Sequence, residues 1–468
     1  MSDAATDSLL LAFYGDDFTG STDVMETLAR AGLRTVLFLA PPTPAQLARY
    51  PGLRSFGIAG GSRTFSPAQM EAALPPAFAA LRASGAAIVH YKMCSTFDSS
   101  PTIGSIGLAI ELGRRTFGDT LTPLVIGAPA LGRYVAFGNI FARSGLDTDP
   151  SRLDRHPTMS RHPVTPMSEA DIKLILAAQT KIPVELIDVT KLHATGPAKL
   201  RPRLKDAAPI VLFDTITDAD LPVIGGLIAS ETNSDAPLFC VGSSGLEYAL
   251  TAHWRADGLL SAPATAAPTA GARAPQLVIV SGTCSPVTER QIAYAVAAGF
   301  AEIACDSAEF AADGDLSALL EETVARAQSA LTAGQPVIFH TARGPEDPRS
   351  IGYKKAALRC AGDTPADKLA NAAANLSRNL ALLLELALTS ARDARGVVCG
   401  GDTSTNASRT LGIEALEFIA PVAPGAPLCR IHAPGRTAHG REFLFKGGQN
   451  GRDSFFTELA QLPVFSCV

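Results

Sequence analysis

LLLAFYGDDFTGSTD, residues 9 to 23, is the stretch whose reading decides the fold. Leu9 to Phe13 is a short apolar run of the kind buried in a parallel sheet. Behind the acidic turn, Val24, Leu28 and Ala31 recur on one helical face, with Ser21 or Thr22 placed to cap the start and Gly32 to end it. Arg34 to Leu39 then reads as a second strand, closing a β-loop-α-β unit. Ligands of such sheets bind beyond the carboxyl ends of the strands, which is where Asp16 and Asp17 fall. Two adjacent acids there are costly to bury without a cation or hydroxyl donors. A solvated turn with a helix cap is the plainer alternative for this segment alone.

Outward from that unit, strand-length apolar runs keep alternating with helix-like stretches. Ala87 to Tyr91, Pro123 to Gly127, Pro209 to Phe213 and Pro237 to Val241 continue the pattern. Residues 259 to 275, LLSAPATAAPTAGARAP, lack periodicity and read as a linker. Strand candidates resume at Gln276 to Val280, Ala301 to Cys305, Pro336 to His340, Arg395 to Cys399, Ala415 to Ile419 and Glu442 to Phe445. The expectation is two α/β domains, 1–257 and 276–468, joined by 258–275. Each would carry a largely parallel sheet flanked by helices, with the active site in a cleft between them.

Composition narrows the class. A chain of 468 residues with 47% hydrophobic and 18% charged residues has enough apolar content for large cores. The net charge of −5, without a basic run, argues against nucleic acid, and no apolar stretch reaches the length of a membrane span. Eight scattered cysteines without a C-x-x-C pair point to reduced core residues and a cytoplasmic protein rather than a zinc site. The polar, acidic start does not read as a signal peptide.

Two clusters in the first half offer recognition chemistry. KMCSTFDSS, 92–100, puts the cation of Lys92, the hydroxyl of Ser95 and the carboxylate of Asp98 in one strand-end loop. Arg63, in GGSR, is the residue type that grips a carboxylate with two bonds. Arg133 follows another strand, and His156 and His162 lie in the Pro-rich segment RHPTMSRHPVTPM. The two histidines lack a metal-ligand spacing and read as hydrogen-bonded residues of a turn or lid. A capped loop with an exposed Lys–acid pair would explain 92–100 equally well.

The second half offers phosphate chemistry. VVCGGDTS, 397–404, is a strand entering a glycine loop, with a helix expected over Asn406 to Leu411. Backbone N–H groups there can approach phosphate oxygens at a helix N-terminus. SGTCS, 281–285, ahead of a helix starting near Thr288, and KGGQNG, 446–451, make the same offer. Three such loops in one domain suggest a nucleotide bed, although any one could be a plain βα turn. Neither a P-loop nor a dinucleotide fingerprint is present.

Together these motifs resemble the four-carbon acid sugar kinase family over almost the whole chain. The resemblance rests on GDDFTGSTD (15–23), SR (62–63), KMCSTFDSS (92–100), GR (132–133), HPVTPM (162–167), SGTCS (281–285), GGDTS (400–404), APG (423–425) and KGGQNG (446–451). It implies ATP-dependent, Mg²⁺-assisted phosphorylation of threonate, erythronate or 3-oxo-tetronate, small-molecule partners only, and an oligomeric state left open, a homo-oligomer included. Asp16 and Asp17 would serve the chemistry; Arg63, Lys92, Ser95, Asp98, Arg133 and His162 would hold the sugar acid. ATP would lie on Ser281, Ser285, Gly400, Gly401, Asp402, Thr403 and Gly448, while the metal ligands stay unassigned. The chain departs from the family pattern with Asp402 where Glu is usual, Ser21 where Ala is usual, KGGQNG in place of KSGNFG, and an expanded segment at 151–167. That expansion motivates an alternative substrate, a branched 3-oxo acid such as 3-oxo-isoapionate. A non-catalytic two-domain binding protein is the rival from another class; a secretion signal and absent nucleotide loops would be its marks.

Overall fold

In the computed structural model, residues 8–144, 148–161, 165–195, 197–205, 208–233, 236–260, 274–391 and 393–465 are described. The chain divides into two compact units, Met1–Ala264 and Thr265–Val468. Most of the expected linker, 261–273, lies outside the described residues.

The first unit is built on eight parallel strands. They are β1 (Leu11–Gly15), β2 (Thr35–Phe38), β3 (Ser55–Ala59), β4 (Ile88–Lys92), β5 (Thr122–Val125), β9 (Val184–Ile187), β10 (Ile210–Phe213) and β11 (Leu238–Gly242), in the order β2-β3-β1-β4-β11-β5-β10-β9. Nearly every residue of the central strands is buried, as a sheet covered by helices on both faces requires. A separate antiparallel sheet, β6 (Arg133–Ala136), β7 (Asn139–Ala142) and β8 (Ser151–Arg152), was not expected. Nor were β3 and β9: SFGIA contains Ser and Gly, and VELI carries a charge in only four residues, so neither reads as an apolar run.

Strand order locates the crevice. After β1 the chain turns toward β2 and β3; after β4 it crosses to the other side, toward β5. The carboxyl ends of β1 and β4 therefore flank a topological switch point, where α/β sheets open to ligands. Helix α1 (Phe18–Arg30) starts there, capped by Asp17 instead of Ser21 or Thr22. Asp17 is extended (φ −146°, ψ 164°) and accepts the Gly20 N–H at 2.9 Å. The Ser21 and Thr22 hydroxyls instead turn back onto helix carbonyls.

The second unit repeats the plan with β12 (Leu277–Ser281), β13 (Ala301–Ala304), β14 (Val337–His340), β15 (Arg395–Cys399), β16 (Ala415–Ala423), β17 (Ala426–His432) and β18 (Glu442–Lys446). Five strands are parallel in the order β13-β14-β12-β15-β18, and β17 and β16 extend the sheet antiparallel. Its switch point falls between β12 and β15. The buried ion pair Arg395–Glu442 sits at the opposite end, where Arg395 also donates to the carbonyls of Leu459 and Pro463.

Candidate active site

In the first unit, parallel register sets Gly15 beside Lys92 and Lys92 beside Gly242, so three loops leave the sheet side by side. Asp16 continues the ladder, donating its N–H to the Lys92 carbonyl at 2.8 Å. The Arg63 loop is pinned by its own N–H on the Asp16 carbonyl and by the Ser62–Tyr91 hydroxyl bond. Its guanidinium then spans both acids: Nε and Nη2 reach Asp16 at 3.1 and 2.7 Å, Nη1 and Nη2 reach Asp17 at 2.9 and 2.8 Å. Arg63, expected on a substrate carboxylate, here supplies the cation that two adjacent acids need. Burial pushes the Asp16 carboxyl above its ordinary range, with Arg63 opposing.

Lys92 is only 4% exposed, and its ammonium makes no hydrogen bond or ion pair among the described residues. It points at α1, where the absence of a side chain at Gly20 leaves it room; a Cβ there would lie 2.5 Å from Nζ. An unpaired buried ammonium is a ready anion site.

Ser95 is half-buried without a hydrogen-bond partner among the described residues. Asp98 accepts the Thr165 hydroxyl. The loop between them forces Phe97 into the left-handed region (φ 56°) while burying its ring. Arg133 is spent on backbone carbonyls, those of Leu131, Gly132 and Arg143, although its buried Nε has no partner among the described residues. His162 lies outside the described residues. His156 is structural: its Nδ1 accepts the N–H groups of Thr158 and Met159.

Sequence reasoning missed a further group in this crevice. Asp23, one turn beyond Gly20 on the same face of α1, accepts a hydrogen bond from Ser244, which begins helix α2 (Gly245–Ala256) after β11. Asp23 stood within the quoted motif, but nothing local links it to a serine 221 residues away.

In the second unit the three glycine loops do converge. The Gly400 N–H bonds the Lys446 carbonyl at 2.9 Å and the Gly282 N–H bonds the Cys399 carbonyl at 3.1 Å. Thr288 donates its hydroxyl to the Gly448 carbonyl at 2.8 Å. Ser285 caps helix α3 (Pro286–Ala297), whose start is two residues earlier than expected. Helix α4 (Gly401–Thr410) begins five residues earlier, so Asp402 and Thr403 lie in its first turn, and no side chain among the described residues caps its start at Gly400. Asp402 is exposed and Thr403 buried; Ser281 is buried, its hydroxyl without a partner among the described residues. Lys446 was missed as a side chain. Its Nζ donates to Thr288 at 3.1 Å and lies over the Phe455 and Phe456 rings, and burial pulls the ammonium below its ordinary range.

The assembled geometry is a crevice with clustered acids, Arg63 and Lys92 in one unit and three converging glycine loops in the other. Comparison with known proteins agrees with that division. Residues 11–250 match the sugar-binding N-terminal domain family, and residues 278–456 match the nucleotide-binding C-terminal domain family. The chain belongs to the four-carbon acid sugar kinase family. Within that family, the 3-oxo-isoapionate kinase of Paraburkholderia graminis is 46% identical over 96% of this chain and 93% of its own length. A 3-oxo-tetronate kinase of Methylobacterium radiotolerans is 33% identical over 96% of this chain and 98% of its own. A solved structure from Salmonella typhimurium LT2, described as a tRNA synthase, shares the fold with a TM-score of 0.72 at 23% identity, covering 96% and 98% of the two chains. Among the described residues, no helix is long and apolar enough to cross a membrane, and no group of three or more His, Cys, Asp or Glu side chains could hold a metal ion.

Proposed function

We propose that this protein is an ATP-dependent kinase whose acceptor is the branched acid sugar 3-oxo-isoapionate, acting in the cytoplasm. One observation carries the choice of substrate: 46% identity to a 3-oxo-isoapionate kinase, against 33% to a 3-oxo-tetronate kinase, over equal shares of this chain. The seven described cysteines are all free, which suits a reducing compartment.

In this reading the Lys92 ammonium attracts the sugar carboxylate, while Ser95 and Asp98 hold hydroxyls. Asp16 and Asp17, kept in place by Arg63, orient the attacking hydroxyl and accept its proton. The oxygen bonds the γ-phosphorus, the bridging P–O bond breaks, and ADP leaves with its electron pair. The N–H groups at the start of α4 and the loops at Ser281–Ser285 and Gly448 cradle the phosphates. Mg²⁺ would be held chiefly by the nucleotide's own oxygens, with Asp402, in the first turn of α4, as the acidic side chain beside the glycine loop, and would neutralise phosphate charge.

The test is ADP release with Mg-ATP against 3-oxo-isoapionate, 3-oxo-tetronate, threonate and erythronate. Highest kcat/KM on 3-oxo-isoapionate is expected. Preference for a linear acid would overturn the substrate; no turnover on any would overturn the kinase reading.

A further inference from the structure

Three elements meet beside Lys92. Strand β4 ends in it, α1 turns the Gly20–Asp23 face toward it, and β11, in register through Gly242, delivers Ser244 two residues later. The acids of this crevice are not equally engaged. Asp16 and Asp17 share four hydrogen bonds from Arg63, and Asp17 also caps α1. Asp23, half-buried, accepts a hydrogen bond through Oδ2 from Ser244, and its Oδ1 makes no hydrogen bond among the described residues. Lys92, 4% exposed and without a hydrogen bond or ion pair among the described residues, points at Gly20 and is close enough to act electrostatically on Asp23.

We infer that Asp23, oriented by Ser244, accepts a hydrogen bond from a hydroxyl of the acid sugar whose carboxylate pairs with Lys92, so that this carboxylate–ammonium pair selects among acid sugars. Asp16 and Asp17, held by four bonds from Arg63, stay with the attacking hydroxyl, and Asp23 reads a second hydroxyl of the same sugar. A carboxylate and an ammonium presented together match a hydroxy acid, which offers a donor and an anion on neighbouring carbons. Burial raises the Asp23 carboxyl above its ordinary range, with Lys92 and Ser244 opposing, so the ligand hydroxyl meets a group that gains from another donor.

The inference rests on the acid-sugar kinase reading, and the test separates the two. Wild type, Asp23→Asn and Ser244→Ala are compared for KM and kcat with 3-oxo-isoapionate and 3-oxo-tetronate, for KM of ATP, and for calorimetric binding of the sugar acid without nucleotide. Asp23→Asn should raise the sugar KM and Kd about ten- to hundredfold, the loss expected for a hydrogen bond to a charged group. The KM of ATP should stay within about twofold, and the preference between the two sugars should change. Unchanged sugar KM and preference in a folded Asp23→Asn overturn the inference while leaving the kinase reading intact. Wild type inactive on every acid sugar overturns both. Should Asp23→Asn fail to fold, Ser244→Ala, which keeps the carboxylate and removes its anchor, decides on the same two numbers.

Discussion

Arg63 and Asp16 form a two-bond pair, Nε to Oδ2 at 3.1 Å and Nη2 to Oδ1 at 2.7 Å, between residues 47 apart in sequence. The same guanidinium holds Asp17, so one cation balances two adjacent acids at a strand end.

Removing that cation leaves the acids facing each other. Arg63→Ala should lower stability by about 3 kcal/mol, the usual cost of stripping a buried charge of its partner. The gap to the parent should narrow as pH falls from 8 to 5, because a proton on one acid replaces the lost cation. Thermal melts across that range check both.

Asp17→Asn separates charge from capping. Asn caps a helix nearly as well as Asp, so stability should change by less than ~1 kcal/mol. Turnover should fall at least about a hundredfold if this carboxylate serves proton transfer, with ATP affinity unchanged. Steady-state kinetics alongside ATP titration decide it; unaltered turnover would remove Asp17 from the chemistry.

Glu26 makes a pH prediction. It is buried on α1, its Oε2 has no hydrogen-bond partner among the described residues, and burial together with Asp23 pushes its carboxyl up to about 7, with Arg30 opposing at 3.5 Å. Between its ordinary 4.5 and about 7 the folded state holds a proton that the unfolded chain has released. Stability from this group is therefore intact below that window and lost as pH rises through it. Glu26→Gln should melt higher than the parent at pH 8, by at most ~3 kcal/mol, and lose its advantage near pH 5. Equal melting at pH 8 would refute the shift.

Gly400 sits at φ +119°, and a Cβ there would meet Thr403 Oγ1 at 2.8 Å. Gly400→Ala should strain the loop by about 1–3 kcal/mol. The KM of ATP should rise about tenfold or more while the sugar Kd stays put. A sugar Kd that moves equally would point to general unfolding.

Much of the fold was legible because βα repeats write themselves locally. Apolar runs such as Leu277–Ser281 and Arg395–Cys399 are buried over their whole length, and glycine loops punctuate them. The same locality explains the misses. Ser55–Ala59 becomes a central strand only because β1 and β2 lie on either side of it. Helix α4 starts at Gly401 rather than Asn406, since Gly400 can adopt the backbone turn that lets the helix begin inside the loop.

The candidate residues divide in the same way. By itself the sequence determined that Asp16, Asp17, Lys92 and Ser281 stand at or just past strand ends, with Gly400 and Gly448 in the loops that follow strands, because hydrophobic period and turn chemistry act over a few residues. Only the tertiary structure decided which charges meet: Arg63 turns to the two acids, Lys92 makes no hydrogen bond or ion pair among the described residues, and Ser244 reaches Asp23. Charge pairing depends on distances through space and on burial, and strand order, not position along the chain, sets both.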